Sequence, residues 1–260
     1  MIARAAAAAV VVVLAPAAAR ANPSRPVAAL TASPAHVLLA GAGRQAIRVA
    51  NLGSAAVVVD VTRAGFTLGP RGRPLAVLRG VAARRASTWL AIRPRRVVLA
   101  AGAAATLTVA SLPPSAATPG DHTALVLLTT QPLSGAAVAV RMRLGVTVVI
   151  RVGGRIEHGL RLRSVRVRRS GRRRAIDVVL ANTGNVVEWL RRGRIEVSLL
   201  SSEHVVARLR SAPRELLPRT SGIVELPYLG AVRGRLTARV TIAAPGGRMK
   251  TRVRSFRVRL

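Results

Sequence analysis

From Val138 to Val152 an apolar side chain stands at every second position: Val138, Val140, Met142, Leu144, Val146, Val148, Ile150 and Val152. Arg141, Arg143, Thr147 and Arg151 fall between them. A segment patterned in this way can bury one face and wet the other only as an extended strand, because side chains repeat every two residues in a strand and about every 3.6 in a helix. Shorter β-branched runs with the same period, punctuated by Gly, Pro, Ser and Asn, recur from Val27 to Leu260, and helical periodicity is nearly absent. The pattern predicts an all-β chain.

Strands are predicted over 27–32, 45–51, 57–62, 88–92, 104–111, 123–130 and 137–152, enough for one immunoglobulin-like sandwich. Gly153-Gly154 then reads as a joint, and a second set follows over 160–168, 175–182, 195–200, 204–209, 222–226, 236–243 and 251–260. The expected organisation is two tandem immunoglobulin-like β-sandwiches, 22–152 and 153–260, behind a leader at 1–21. The leader has a short basic start (Met1 to Arg4), an apolar run (Ala5 to Leu14) and a small-x-small site at Ala19-Arg20-Ala21, the pattern of a secretory signal peptide cut after Ala21. That run is too short to cross about 30 Å of hydrocarbon, and no later stretch approaches the roughly 20 apolar residues a spanning helix needs. The mature chain is therefore expected to be extracytoplasmic, in the cell envelope, with no transmembrane segment.

The long strand 137–152 has two readings. As an edge strand it would offer unpaired backbone to another protein, with Val138, Val140, Met142, Leu144 and Val146 as the partner-binding residues; as an ordinary terminal strand it would simply run on into the linker. A second pattern concerns Arg161-Leu162-Arg163-Ser164-Val165-Arg166-Val167-Arg168 and Arg252-Val253-Arg254-Ser255-Phe256-Arg257-Val258-Arg259. In each, the apolar phase slips by one at the serine, which predicts a bulge or bend near Ser164 and Ser255. Two such edge strands could form one basic stripe, so Arg141, Arg143, Arg161, Arg163, Arg252 and Arg254 are candidate basic surface residues. The net charge of +33, with Lys250 as the only lysine, would draw the protein to anionic polymers or surfaces. The arginine excess is equally the product expected of a GC-rich coding sequence, and composition leaves both origins open.

Catalytic chemistry finds no support in the pattern. There is no cysteine, hence no disulfide, thiol nucleophile or cysteine zinc site. The first sandwich has only Asp60 and Asp121 for carboxylate chemistry, and His36, His122, His158 and His204 are scattered without metal-ligand spacing. Asp121 and His122 are strand neighbours that would point to opposite faces, and neither a nucleophile elbow nor a phosphate-binding glycine loop occurs. No cofactor and no enzyme activity are expected. Trp89, Trp189, Tyr228, Phe66 and Phe256 are not interleaved with the basic runs, which argues against nucleic acid; Trp89 and Trp189 are each expected inside or at the rim of their own sandwich.

Several short motifs carry a resemblance. Leu30-Thr31-Ala32-Ser33-Pro34, Ala40-Gly41, Ile47 to Gly53, Ile92-Arg93-Pro94, Val98 to Gly102 and Pro119-Gly120-Asp121-His122 together resemble the first domain of periplasmic pilus chaperones. They resemble more closely the peptidoglycan-binding domain of the WxL-interacting cell-surface proteins. Asn182-Thr183-Gly184-Asn185 and Leu217 to Gly222 look like the companion domain of that second group. The resemblance implies a non-enzymatic envelope protein that binds a surface protein, an anionic wall polymer or peptidoglycan through sheet edges and Arg-rich faces. Its alternative is a chaperone-like assembly factor for surface or pilus subunits, acting by strand augmentation.

Overall fold

The structure is a computed structural model that describes residues 29–77, 86–132, 141–171, 173–243 and 252–260. The leader, Val138 and Val140 lie outside the described residues. The protein is all-β, two tandem immunoglobulin-like sandwiches.

The first sandwich is built from β1 (Leu30–Ser33), β2 (His36–Ala40), β3 (Arg44–Asn51), β4 (Val57–Leu68), β5 (Pro74–Val77), β6 (Leu90–Arg93), β7 (Arg96–Leu99), β8 (Ala104–Ser111), β9 (Gly120–Pro132) and β10 (Arg143–Val152). One sheet runs β1-β3-β8-β6; the other runs β2-β10-β9-β4-β5, with β7 also on β4. The chain changes sheets between β1 and β2, at Pro34, a residue with no N–H to give to a ladder. The inward face of β10, from Val146 through Val148 to Ile150, is fully buried against Ile47, Leu107, Val109 and Leu128, and Trp89 closes the same core.

The second sandwich comprises β11 (Leu160–Ser170), β12 (Arg173–Asn182), β13 (Glu188–Leu190), β14 (Ile195–Ser201), β15 (His204–Arg210), β16 (Arg214–Leu216), β17 (Ser221–Tyr228), β18 (Arg235–Ile242) and β19 (Arg252–Arg259). Its sheets are β11-β12-β17 and β15-β14-β18-β19, with β13 and β16 as a short pair. The register of β11 on β12 shifts between Leu162 and Ser164, as the serine slip predicts, so that Leu162 and Val165 both reach the core. At Ser255 the outcome differs: β19 pairs with β18 in continuous register. The slip is absorbed there by leaving Val253 on the outer face, 53% exposed, while Phe256 and Val258 pack inward.

Both sandwiches use one corner device. Asn51 and Asn182 are buried, and each accepts a hydrogen bond at Oδ1 from the glycine N–H two residues on, Gly53 at 2.9 Å and Gly184 at 3.0 Å. Each Nδ2 donates to the carbonyl four residues on (Ala55, 2.8 Å; Val186, 2.8 Å) and to a carbonyl of a distant strand (Leu99, 3.2 Å; Leu216, 3.0 Å). The side chain thereby satisfies buried backbone groups that the turn removes from the ladder. Asn51→Ala leaves those groups unpaired and should lower stability by at least about 2 kcal/mol in urea unfolding, since each buried unsatisfied group costs roughly 1–3 kcal/mol.

Candidate protein-binding edge

β10 is covered on one side by β9 along its whole length, Arg143 opposite Thr129 through to Val152 opposite Gly120. On its other side β2 runs parallel only from Thr147 to Arg151. The stretch Arg143 to Val146 therefore has no second neighbour among the described residues, because the chain that would flank it has crossed to the other sheet at Pro34. Of the strand expected at the edge, Arg143 to Val146 lie beside one neighbour among the described residues, and the part from Thr147 onward is interior.

The direction of the backbone groups follows from the hydrogen bonds on either side. The Thr147 N–H donates to the Ala35 carbonyl (3.1 Å) and the Gly41 N–H to the Arg151 carbonyl (2.8 Å), on the β2 side. The Thr130 N–H donates to the Met142 carbonyl (2.9 Å), on the β9 side. Since these groups alternate along a strand, the N–H and C=O of Arg143 and Gly145 point at the open side. Met142 and Leu144 lie half-buried against the first core and Val146 is fully buried, whereas Arg141 and Arg143 are exposed. The open edge thus has an apolar floor and a charged outer rim.

The sandwich carrying this edge is held to its neighbour by four contacts that sequence reasoning did not anticipate. The outer face of the β2-β10-β9-β4-β5 sheet presents Ala64, Phe66, Leu125, Leu127 and Val149, which pack with Val187 and Leu217 of the second sandwich into a third core. Each large side chain there contributes roughly 1.5–3 kcal/mol by leaving water. Asp121, with a fully buried side chain, takes a two-pronged ion pair from Arg151 (2.7 and 2.8 Å) and the Val187 N–H (2.8 Å). Its own N–H donates to the Asn185 carbonyl at 2.8 Å. The approach requires Gly120, whose φ is +120° and where any Cβ would collide with that carbonyl. The carboxylate raises the pKa of Arg151 chiefly by hydrogen bonding.

The third contact is the turn between β4 and β5. Arg71 reaches Asp177 (2.9 Å) and Glu225 (2.7 Å), which stand opposite each other on β12 and β17, and Arg168 bridges the same pair. Two facing carboxylates would repel; the guanidiniums of both sandwiches cancel that cost, and hydrogen bonding to Asp177 raises the pKa of Arg71. The Pro70 carbonyl accepts from the Ile223 N–H at 2.7 Å and from Arg214 at 3.2 Å. The fourth is His36 on β2, whose ring meets Trp189 on β13 edge-on at 4.5 Å and lies 3.8 Å from Glu215. Trp189 is thus a bridge between the sandwiches, 45% exposed, and not part of its own core.

The acidic residues are engaged as mortar. Every carboxylate except those of Glu203 and Glu215 has an arginine within ion-pair distance, and Glu215 has only His36. No group of three or more His, Cys, Asp or Glu residues fit to hold a metal occurs among the described residues, and none of their helices is long and apolar enough to cross a membrane. His122 packs against Trp89 at 4.7 Å, His158 contacts Glu188 at 3.0 Å, and His204 is exposed on β15.

No family model and no curated protein matches the sequence. Solved structures with a similar fold include the class 5 fimbriae chaperone CfaA (TM-score 0.48, 11% identity, covering 87% of this chain and 98% of that one). Others are the YadV chaperone (0.48, 11%, covering 89% and 99%) and the Pseudomonas aeruginosa CupB2 chaperone (0.44, 14%, covering 87% and 100%). The resemblance to WxL-interacting proteins rests on the short sequence motifs alone.

Two outcomes test the joint. Asp121→Asn leaves Arg151 without its counter-charge and should destabilise the protein by about 2–3 kcal/mol, less than a fully buried pair would cost because Arg151 is partly exposed; calorimetry should show the single transition split in two. Burial lowers the pKa of His36 and raises that of Glu215. The unfolded His36 takes up a proton first, so its contribution is present above about pH 6.5 and is lost as pH falls toward the depressed folded value. Glu215 works oppositely: its contribution is present below about pH 4.3 and is lost as pH rises through the raised value. Thermal unfolding at pH 7 and 5.5 should therefore show a larger loss on acidification for the wild type than for His36→Gln.

Proposed function

We propose that the protein acts without catalysis, by accepting an extended segment of a partner protein as an added strand on the open edge of β10. In this reading it is an extracytoplasmic assembly factor, chaperone-like, that covers the incomplete sheet of a surface subunit. The observation that carries the reading is that the N–H and C=O groups of Arg143 and Gly145 have no backbone partner among the described residues, set in line with the β2 ladder and backed by Met142 and Leu144. An incoming strand would continue the sheet where β2 stops. It would gain main-chain hydrogen bonds for affinity and would seat alternate side chains against the apolar floor for selection.

The physical logic favours a short-lived, exchangeable complex. A four-residue edge supplies only a few ladder hydrogen bonds, each with a net worth of about 0.5–1.5 kcal/mol, so most of the binding must come from the partner's own apolar side chains. That suits a protein which holds a partner until a better strand replaces it. Arg141 and Arg143 at the rim would prevent two copies of this chain from pairing edge to edge, since like charges face each other in such a pairing.

The test is co-expression with exported surface proteins of the same organism, followed by co-purification and amide hydrogen exchange. The amides of Arg143 and Gly145 should become protected in the complex. Arg143→Pro removes an edge N–H at the first residue of the strand, where proline is tolerated, and should abolish co-purification; Arg143→Gln, which keeps the N–H and drops the charge, should not. Unprotected amides, or retention of the partner by the proline variant, would refute the reading.

A further inference from the structure

The two arginine-rich strands singled out in the sequence lie next to each other. β11 is the edge of one sheet of the second sandwich and β19 the edge of the other, and they run in the same direction. At one end of this seam Arg161, Arg163 and Arg254 line a pocket of about 320 Å3 together with Leu162 and Ile242. At the other end Arg169 donates to the Arg259 carbonyl at 2.9 Å. A second cavity of about 590 Å3, lined by Arg235, Arg257 and Arg259 with Leu200 of β14 and Thr237 of β18, takes no residue from β11 and lies off the seam. Arg252 opens β19 opposite Ile242, and its side chain lies outside the described residues.

From these facts we infer that the pocket lined by Arg161, Arg163 and Arg254 is a binding site for a phosphate-bearing ligand, a function separate from strand addition at β10. Arg161, Arg163 and Arg254 are exposed and make no ion pair among the described residues, although nearly every carboxylate of the protein is engaged elsewhere. Three uncompensated arginines lining one pocket raise its positive potential, and a bound anion lowers it. Charged side chains on sheet edges also deter unwanted pairing, but that role does not require guanidiniums from two strands to share one pocket.

Geometry selects the anion. Arg161 and Arg163 lie two residues apart on one strand, roughly 6.6 Å, and Arg254 lines the same pocket from another. A planar carboxylate is saturated by one bidentate arginine, whereas a tetrahedral phosphate turns oxygens in several directions and can be held by all three. The lining of the pocket holds no aromatic ring on which a base could stack, which selects a phosphate without a base.

The test is fluorescence anisotropy of the full chain with labelled inorganic polyphosphate and with poly(glycerol phosphate). Both share the proposed chemistry, and whichever binds more tightly through the seam identifies the source. Binding should weaken steeply with salt, and R161Q/R163Q/R254Q should lose at least about tenfold in affinity and lower the salt slope by about two to three. The control R191Q/R192Q/R208Q removes three exposed arginines outside the seam that make no ion pair among the described residues, and should lose less than about threefold. Circular dichroism confirms that both variants are folded. Equal losses in the two variants would overturn the site, because net charge alone would then account for binding. Tighter binding of polygalacturonate, or of single-stranded DNA with the same number of charges, would overturn the phosphate assignment.

Discussion

The architecture of the first sandwich depends on where the chain is allowed to leave one sheet for the other. A strand can change sheets only where a ladder hydrogen bond can be given up, and Pro34 has none to give. By crossing there, the segment that begins in β1 arrives late beside β10 as β2. β10 is flanked on both sides over Thr147 to Arg151, yet its first residues have one neighbour among the described residues. Closure of the core and openness of the edge are two results of one crossing.

The second organising fact is how few acids the chain has and where they are. With 42 basic and 9 acidic side chains, counter-charge is the scarce resource. Asp121, Asp177 and Glu225 are all placed at the joint between the sandwiches, each engaging an arginine from β10, from the β4 to β5 turn or from β11. In so basic a molecule these are the positions where a lost carboxylate would leave a partly buried cation unpaired, which costs more than the original pair contributes.

The fold was legible because alternation with period two leaves little choice, and the strands from Ala104 to Ser111 and from Leu160 onward could be read to within a residue or two at their starts. The slip at Ser164 foretold a bulge because both flanking apolar residues have a core to reach. The identical slip at Ser255 did not, because Val253 has no core beside it and stays wet. β13 and β16, three residues each, are too short to show any period. The joint was invisible because its partners lie far apart in sequence, yet one sign was present: Ala124 to Leu128 is apolar without interruption, the mark of a strand buried on both faces. Of the two places expected for Trp189, inside its sandwich or at the rim, the core is not the one it takes, and its contact with the ring of His36 on the other sandwich had no sign in the sequence.

That doubly covered sheet has a practical consequence. Phe66, Leu125, Leu127 and Val149 are protected from water only while Val187 and Leu217 rest on them. Cutting the chain at Gly153-Gly154 would yield not two tidy fragments but a first half with a greasy outer wall, prone to self-association. Anyone dissecting this protein by truncation should expect insoluble material, and should carry Val187 and Leu217, or polar replacements of the wall, into the shortened chain.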